Sequence, residues 1–203
     1  MLSCYRLGDL VILNGVDEND QNEILADYPD SIASKYIIEK RHGNSTDNID
    51  IITKIALEFI ERYEKQLPKD ISDSTVIHLR LGDVVGGNYW YEMCKRPLGI
   101  EVMKALVKDD TNKRYVIGKI CFSRFSSCNY DECIQLSNEY LLTMLAELQA
   151  EHFCSGIADI DFCCALKSKL FVQGRGFFSK LIVEIRKSLG LKCIEVEVDS
   201  FVN

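Results

Sequence analysis

Residues 74–90 read STVIHLRLGDVVGGNYW, and the fold is decided where this stretch passes from β-forming residues to glycines. Its first half, residues 75–81, is rich in β-branched and large apolar side chains, which predicts a strand. Because alternate residues of a strand share a face, His78 and Arg80 are expected on one side while the neighbouring leucines pack in the interior. Gly82 then allows the backbone to turn, and Asp83 stands at the loop entrance. Three ionisable groups are therefore expected where one strand ends.

Strand and helix patterns alternate along the rest of the chain. The order from residue 75 onward is strand, helix, strand, helix, strand, helix, strand, which is typical of a parallel sheet covered by helices. The fold class predicted is therefore α/β, a Rossmann-like parallel sheet with helices on both faces. The elements predicted are strands 75–81, 114–122, 170–173 and 193–198 and helices 100–108, 130–150, 159–167 and 177–189.

The first 74 residues are predicted to form a small, mainly helical N-terminal part. Apolar residues recur at helical spacing within 47–66 before Pro68 ends the pattern. Residues 10–13 are predicted as a short strand. Residues 1–74 and 75–203 are expected to form one compact unit.

Composition excludes several classes of protein. The chain has 203 residues and a net charge of −7, which argues against a nucleic-acid binder because such proteins need a basic face. No apolar run approaches the roughly 18 residues of a membrane span, so no span is expected. The apolar patch within the first 15 residues is too short and too acid-flanked for a secretion signal, which favours a cytoplasmic protein.

The nine cysteines are an odd set without a CxxC pair. They lie mostly in apolar surroundings, which favours reduced, buried thiols in a cytoplasmic protein. The alternative is a zinc site built from Cys128, Cys133, His152 and Cys154, but the usual ligand spacing is missing. We therefore expect no metal.

The first candidate site is the end of the 75–81 strand. The planar guanidinium of Arg80 suits two phosphate oxygens, and Asp83 could orient it, bond a backbone amide or act as a base. The alternative is a salt bridge between these two residues that serves the structure alone.

The second candidate site is the turn after the strand LFVQ. Gly174-Arg175-Gly176 leads into a helix that begins near Phe178, and Ser179 lies in its first turn. Glycines allow close approach of a ligand, and the free amides of a helix start bind phosphate. The alternative is a tight strand–helix turn without a ligand. Since ligands of parallel sheets bind beyond the carboxyl ends of the strands, the two sites together predict a pocket for a nucleoside diphosphate.

These residues resemble signatures of the fucosyltransferase superfamily, which includes α-1,2-, α-1,6- and protein O-fucosyltransferases. The H-x-R-x-x-D pattern of His78, Arg80 and Asp83 resembles the first signature. The later block, over residues 159–187, resembles the third: it consists of Asp161, Ser168, the strand LFVQ, Gly174–Gly176, Phe178 and Ser179 in that order. The resemblance covers roughly residues 75–190 and implies the donor-binding half of a GT-B glycosyltransferase, with residues 1–74 as a reduced acceptor side.

The resemblance also implies roles for individual residues. Arg80 would hold the β-phosphate of a GDP-sugar, His78 would lie against the nucleotide, and Asp161 would seat the guanosine. Many members carry a second arginine where this chain has Leu81, and Arg175 would supply phosphate charge from a new position. The implied donor-binding residues are His78, Asp161, Gly174, Arg175, Gly176, Phe178 and Ser179.

The reaction that follows is transfer of a sugar from GDP-fucose or a similar donor to a hydroxyl of a glycan or protein. It would be a metal-independent displacement with no cofactor, in which Arg80 stabilises the leaving diphosphate and Asp83 is the candidate base. One alternative is a catalytically idle module of the same fold that binds a nucleotide or a partner protein. Another is a Rossmann protein for a nicotinamide or flavin.

Overall fold

The computed structural model describes residues 3–7, 10–14, 38–40, 49–85, 97–122 and 129–196. Its strands are β1 Ser3–Leu7, β2 Leu10–Asn14, β3 Ile38–Lys40, β4 Thr75–His78, β5 Leu81–Gly82, β6 Arg114–Ile117, β7 Ile120–Cys121, β8 Glu151–His152, β9 Leu170–Val172 and β10 Cys193–Ile194. Its α-helices are α1 Ile49–Tyr63, α2 Ile100–Leu106, α3 Tyr130–Leu148, α4 Ala158–Lys167 and α5 Phe177–Ser188.

The centre of the molecule is a five-stranded sheet in the order β10-β9-β4-β6-β8. All four neighbouring pairs are parallel. The first strand of this sheet along the chain, β4, lies in the middle; β6 and β8 follow on one side, and β9 and β10 on the other. This is the doubly wound order, whose switch point lies between β4 and β9. The predicted Rossmann-like parallel sheet is confirmed.

Helices cover both faces of this sheet, as predicted. Adjacent residues of β4 point to opposite faces, so Val76 and Ile77 belong to different cores. Val76 packs with apolar residues of α1, α4 and α5, whereas Ile77 packs with those of α2 and α3. None of the helices in the described part of the chain is long and apolar enough to cross a membrane.

The two long strands expected at 75–81 and 114–122 are each interrupted. The backbones come very close at the break, where a Cβ on Gly118 would lie 2.5 Å from the carbonyl oxygen of Leu79. The Leu79 amide donates to the Ile117 carbonyl at 2.9 Å, and the chains then separate from the main sheet. Beyond the break, β5 and β7 form their own parallel pair. The interruption places Arg80 between two short strands.

The described residues of the N-terminal part form strands as well as a helix. The predicted helix is present as α1, but three strands precede it within the described residues and form a separate sheet in the order β1-β2-β3. The predicted strand at 10–13 is β2, which pairs antiparallel with β1 and parallel with β3. The apolar run LVIL indicated β2, whereas β1 and β3 were not predicted because so few residues show little periodicity. At the other end, β10 covers the start of the predicted 193–198 strand, whose last two residues lie outside the described part.

A buried arginine joins the later elements. Arg186 of α5 is fully buried, and its Nη1 donates to the carbonyls of Ala165 (2.6 Å), Leu166 (3.1 Å) and Ser168 (3.0 Å). Its Nη2 donates to the carbonyl of Lys192 at 2.6 Å. These carbonyls belong to the end of α4, the segment before β9 and the segment before β10. Burial lowers the pKa of Arg186 to about 10, so the guanidinium stays charged at neutral pH.

Five cysteines are free thiols: Cys133, Cys154, Cys163, Cys164 and Cys193. Cys133, Cys163 and Cys164 are buried, and burial, followed by the nearby Asp159, raises the pKa of Cys163 to about 12. Cys154, in contrast, is exposed.

Candidate functional site

The two predicted sites meet at the switch point of the sheet. Strands β4 and β9 are direct parallel neighbours, with Ile77 paired to Val172 at the carboxyl end. The chain that leaves β4 therefore runs beside the chain that leaves β9. The sequence indicated that both segments end strands of one sheet, and the strand order makes them adjacent.

Gly174 brings the two segments into contact. A Cβ at this position would lie 2.2 Å from the carbonyl oxygen of His78 and 2.6 Å from its Nδ1. Both distances are far below ordinary van der Waals contact, so only glycine fits. The turn after β9 is thus packed onto the last residue of β4.

Arg80 crosses the next glycine of the same turn. Gly176 has a φ of 95°, in the left-handed region that favours glycine, and a Cβ on it would lie 3.7 Å from Arg80 Cδ. The side chain of Arg80 is 34% exposed, and its Nη2 donates to Asp83 Oδ1 at 3.2 Å. The salt bridge that the sequence left open is therefore present. A guanidinium has five N–H donors, of which this contact uses one.

Arg175 adds a second guanidinium to the turn. It lies between Gly174 and Gly176 and is half-buried. Arg175 is therefore part of the turn that Arg80 crosses.

His78 is a buried, neutral residue beneath this turn. It is 6% exposed, and its Nδ1 has no hydrogen-bond partner among the described residues. Its ring lies 5.4 Å from the ring of Phe178, centroid to centroid. Burial, followed by the charge of Arg80, lowers the pKa of His78 to about 3. The imidazole is therefore uncharged at neutral pH and packs on the first turn of α5.

The start of α5 lies at the same edge of the sheet. Its N-cap is Gly176, which offers no side chain to bond the first amides of the helix. Ser179 is fully buried, and its hydroxyl donates to the Gly174 carbonyl at 2.8 Å, so this hydroxyl closes the turn. The first N–H groups of a helix have no intrahelical partner, which makes this helix start a place of positive potential.

Asp161 lies in the first turn of α4. Its Oδ1 accepts the amide of Ser155 at 3.1 Å and the Ser155 hydroxyl at 2.8 Å, and burial raises the pKa of Asp161. The next residue, Phe162, lies 6.3 Å from Phe178, centroid to centroid. Asp161 therefore joins the loop before α4 to the first turn of this helix, next to Phe162.

Sequence reasoning missed Ser137. This fully buried residue of α3 accepts the amide N–H of Gly82 on its Oγ at 2.9 Å. A signal was present: the buried face of α3 is otherwise lined by Cys133, Leu141, Met144 and Leu148, and one serine interrupts it.

Two further observations bear on where ligands could bind. A cleft of about 450 Å³ lies between α2 and α3, lined by residues that include Ile100, Thr143 and Glu147, and contains none of the predicted site residues. Among the described residues, no group of three or more His, Cys, Asp or Glu side chains could hold a metal ion.

A doubly wound parallel sheet with polar strand ends at its switch point defines the class: a Rossmann-like α/β fold. No protein-family model matches the chain, and no curated protein matches it in sequence. Among solved structures, the chain is similar to POFUT1 with GDP (13% identity, TM-score 0.42) and to POFUT1 in its apo form (14%, 0.40), covering 87% of this chain and 58% of that one in both cases. POFUT1 with GDP-fucose matches at 14% identity and a TM-score of 0.37, over 84% of this chain and 55% of that one. The chain thus spans less than two thirds of these structures, and a similarity of this size does not extend to substrate or activity.

Proposed function

We propose that the chain is a fucosyltransferase-like glycosyltransferase that binds a GDP-sugar and transfers its sugar to a hydroxyl of a glycan or protein. The observation that carries the proposal is the position of Arg80. Its side chain leaves the central strand and crosses the Gly176 turn, 3.7 Å from where a Cβ would stand. A guanidinium and the start of a helix therefore converge at the switch point, where ligands of doubly wound sheets bind.

The diphosphate is the part of the donor that this geometry suits best. The uncapped start of α5 offers amide N–H groups and the positive end of the helix dipole, and Arg80 adds a full charge. Gly176 leaves the turn without a side chain beside Arg80. Arg175 would add charge from the turn itself.

In the proposed reaction, Arg80 and Asp83 are the catalytic pair. Negative charge grows on the leaving GDP as the bond to the anomeric carbon breaks, and fixed guanidinium and amide donors stabilise this charge without a metal. Asp83 is 4% exposed and bonds Arg80, so its first task is to orient the guanidinium. We retain Asp83 as the candidate base for the acceptor hydroxyl.

The choice of GDP and of fucose depends on the sequence resemblance. The H-x-R-x-x-D pattern and the later block around Asp161 resemble the superfamily signatures, and the proposed donor-binding residues are carried over from them. Asp161 would contact the guanosine, and His78 and Phe178 would form the neutral, apolar floor beneath the donor.

The second candidate function is an idle module with the same fold. The observation in its favour is the salt bridge from Arg80 to the buried Asp83, a contact that also suits a purely structural role. Such a module would bind a nucleotide or a partner protein without turnover.

A ligand panel separates these functions. Thermal-shift and calorimetric titration with GDP, GDP-fucose, UDP-sugars and NAD should show stabilisation by the guanosine ligands, because a ligand that binds only the folded state raises the melting temperature. Arg80→Ala should abolish that shift, while Arg62→Ala on the exposed side of α1 should leave it intact. Release of GDP from GDP-fucose by the wild type, and not by Arg80→Ala, would establish turnover. Binding of GDP or GDP-fucose without turnover would favour the idle module. Stabilisation by NAD alone would refute the proposal.

A further inference from the structure

Ser137 of α3 is a polar residue with a specific task. Its side chain is fully buried on a helix face that is otherwise apolar. A hydroxyl in such a place is unfavourable unless it forms a hydrogen bond. Among the described residues, its partner is the backbone amide of Gly82, 55 residues earlier in the chain.

Gly82 needs this partner because its backbone is irregular. Its φ is 94°, and it ends the two-residue strand β5, where the chain turns so that the amide of Val85 bonds the Gly82 carbonyl at 3.0 Å. Gly82 is buried, and a buried amide must be bonded to something. In this structure the Ser137 hydroxyl takes that role.

The bond fixes the residues on both sides of Gly82. Leu81 is 1% exposed and anchored in the α2–α3 core, and Asp83 carries the carboxylate that orients Arg80 at 3.2 Å. Three consecutive residues are thus each held by a different contact. The Leu81 side chain packs in the core, the Gly82 amide bonds Ser137, and the Asp83 carboxylate bonds Arg80. Release of the Gly82 amide would free the backbone that directly precedes Asp83, whose carboxylate bonds Arg80.

We propose that Ser137 is a positioning residue, which holds the Gly82 amide so that the Asp83 carboxylate keeps the Arg80 guanidinium directed at the turn before α5. The part of this inference that is tested by GDP binding rests on the proposed function. Ser137 itself does not contact the donor; it acts through Gly82, Asp83 and Arg80.

The test compares two substitutions on the same buried face of α3. Ser137→Ala removes the acceptor, and Met144→Ala, two turns further along, creates a cavity at a residue of 0% exposure. Two quantities are measured: hydrogen exchange of the Gly82 amide and the Arg80 Nε–H by NMR, and the Kd of GDP by calorimetry. If Ser137→Ala does not fold, Ser137→Cys replaces it, since a thiol has similar size and is a weak acceptor.

The expected result is specific to Ser137. In Ser137→Ala, the Gly82 amide exchanges at least tenfold faster, and the Kd of GDP rises about tenfold, a loss of about 1.4 kcal/mol of binding free energy. Met144→Ala lowers Tm but keeps the Kd of GDP within about twofold of the wild-type value. Unchanged exchange in Ser137→Ala, or an equal loss of GDP binding in Met144→Ala, overturns the inference. If the wild type binds no GDP, the proposed function fails, and the exchange of Gly82 and Arg80 alone then decides whether Ser137 positions this segment.

Discussion

Gly174 and His78 are in direct contact across the switch point, and no side chain fits between them. A Cβ on Gly174 would lie 2.2 Å from the carbonyl oxygen of His78 and 2.6 Å from its ring nitrogen. The carbonyl is part of a central strand and the ring is buried, so neither can move away easily. The turn between β9 and α5 is therefore fixed against β4 at Gly174, its first glycine.

Gly174→Ala is expected to lower the free energy of unfolding by at least about 2 kcal/mol, because it forces extra volume into a packed site. Gly99→Ala is the matched control, since a Cβ there meets nothing within 4 Å. As Gly99 is the N-cap of α2, its loss should cost less than about 1 kcal/mol. Urea denaturation of both variants measures the difference, and equal stability of the two would contradict the contact.

The Arg80–Asp83 pair should show measurable coupling. In a double-mutant cycle of Arg80→Met and Asp83→Asn, we expect a coupling energy of about 1 kcal/mol, because the carboxylate is 6% exposed and poorly screened. The exposed pair Lys104–Glu147, with side chains 41% and 44% exposed, should give less than about 0.5 kcal/mol. Additive effects at Arg80 and Asp83 would show that the pair contributes nothing to the fold.

His78 should make stability depend on pH below neutrality. Its pKa is lowered from 6.5 to about 3. Below pH 6.5, the His78 imidazole is therefore protonated in the unfolded chain but stays neutral in the folded chain. The unfolding free energy should therefore fall as the pH drops from 6.5 toward 3, by about 1.5 kcal/mol between pH 6.5 and 5. Subtracting the pH profile of His78→Gln from that of the wild type isolates this contribution. A flat difference profile, or an imidazole NMR titration near 6.5, would count against a buried neutral ring.

Arg186 should be among the most sensitive positions for folding. Arg186→Met removes the charged donor that bonds the buried carbonyls of Ala165, Leu166 and Ser168 and should cost at least about 3 kcal/mol. Lys187→Met removes the adjacent exposed amine, which bonds Glu195, and should change stability by less than about 0.5 kcal/mol. Denaturation midpoints that are similar for both variants would show that the guanidinium network is dispensable.

Local patterns in the chain were sufficient to predict most helices and the principal strands. The helix pattern from 130 to 150 became α3, Tyr130–Leu148, and the β-forming run before His78 became β4. These elements follow from the period of apolar residues, which is a property of neighbouring positions. The residues at the ends of β4 and β9 could be chosen as candidates for the same reason, since glycines and charges stand where the apolar runs stop.

Contacts between residues that are distant in the chain could not be predicted from local sequence patterns. The short strands β1, β3 and β8 have five residues or fewer and no readable period. The bond from Ser137 to Gly82 and the carbonyls around Arg186 join segments that are remote in the chain, and no local pattern records them.

The order of residues along the chain thus specified the strands, the helices and the polar groups at strand ends, because side-chain alternation and turn chemistry act over a few residues. The tertiary structure decided which segments lie next to each other. It placed β9 beside β4, some 90 residues apart in the chain, and thereby brought Gly174 against His78 and Gly176 beneath Arg80. Strand order depends on which helices cover which face, and such packing is a property of the whole core.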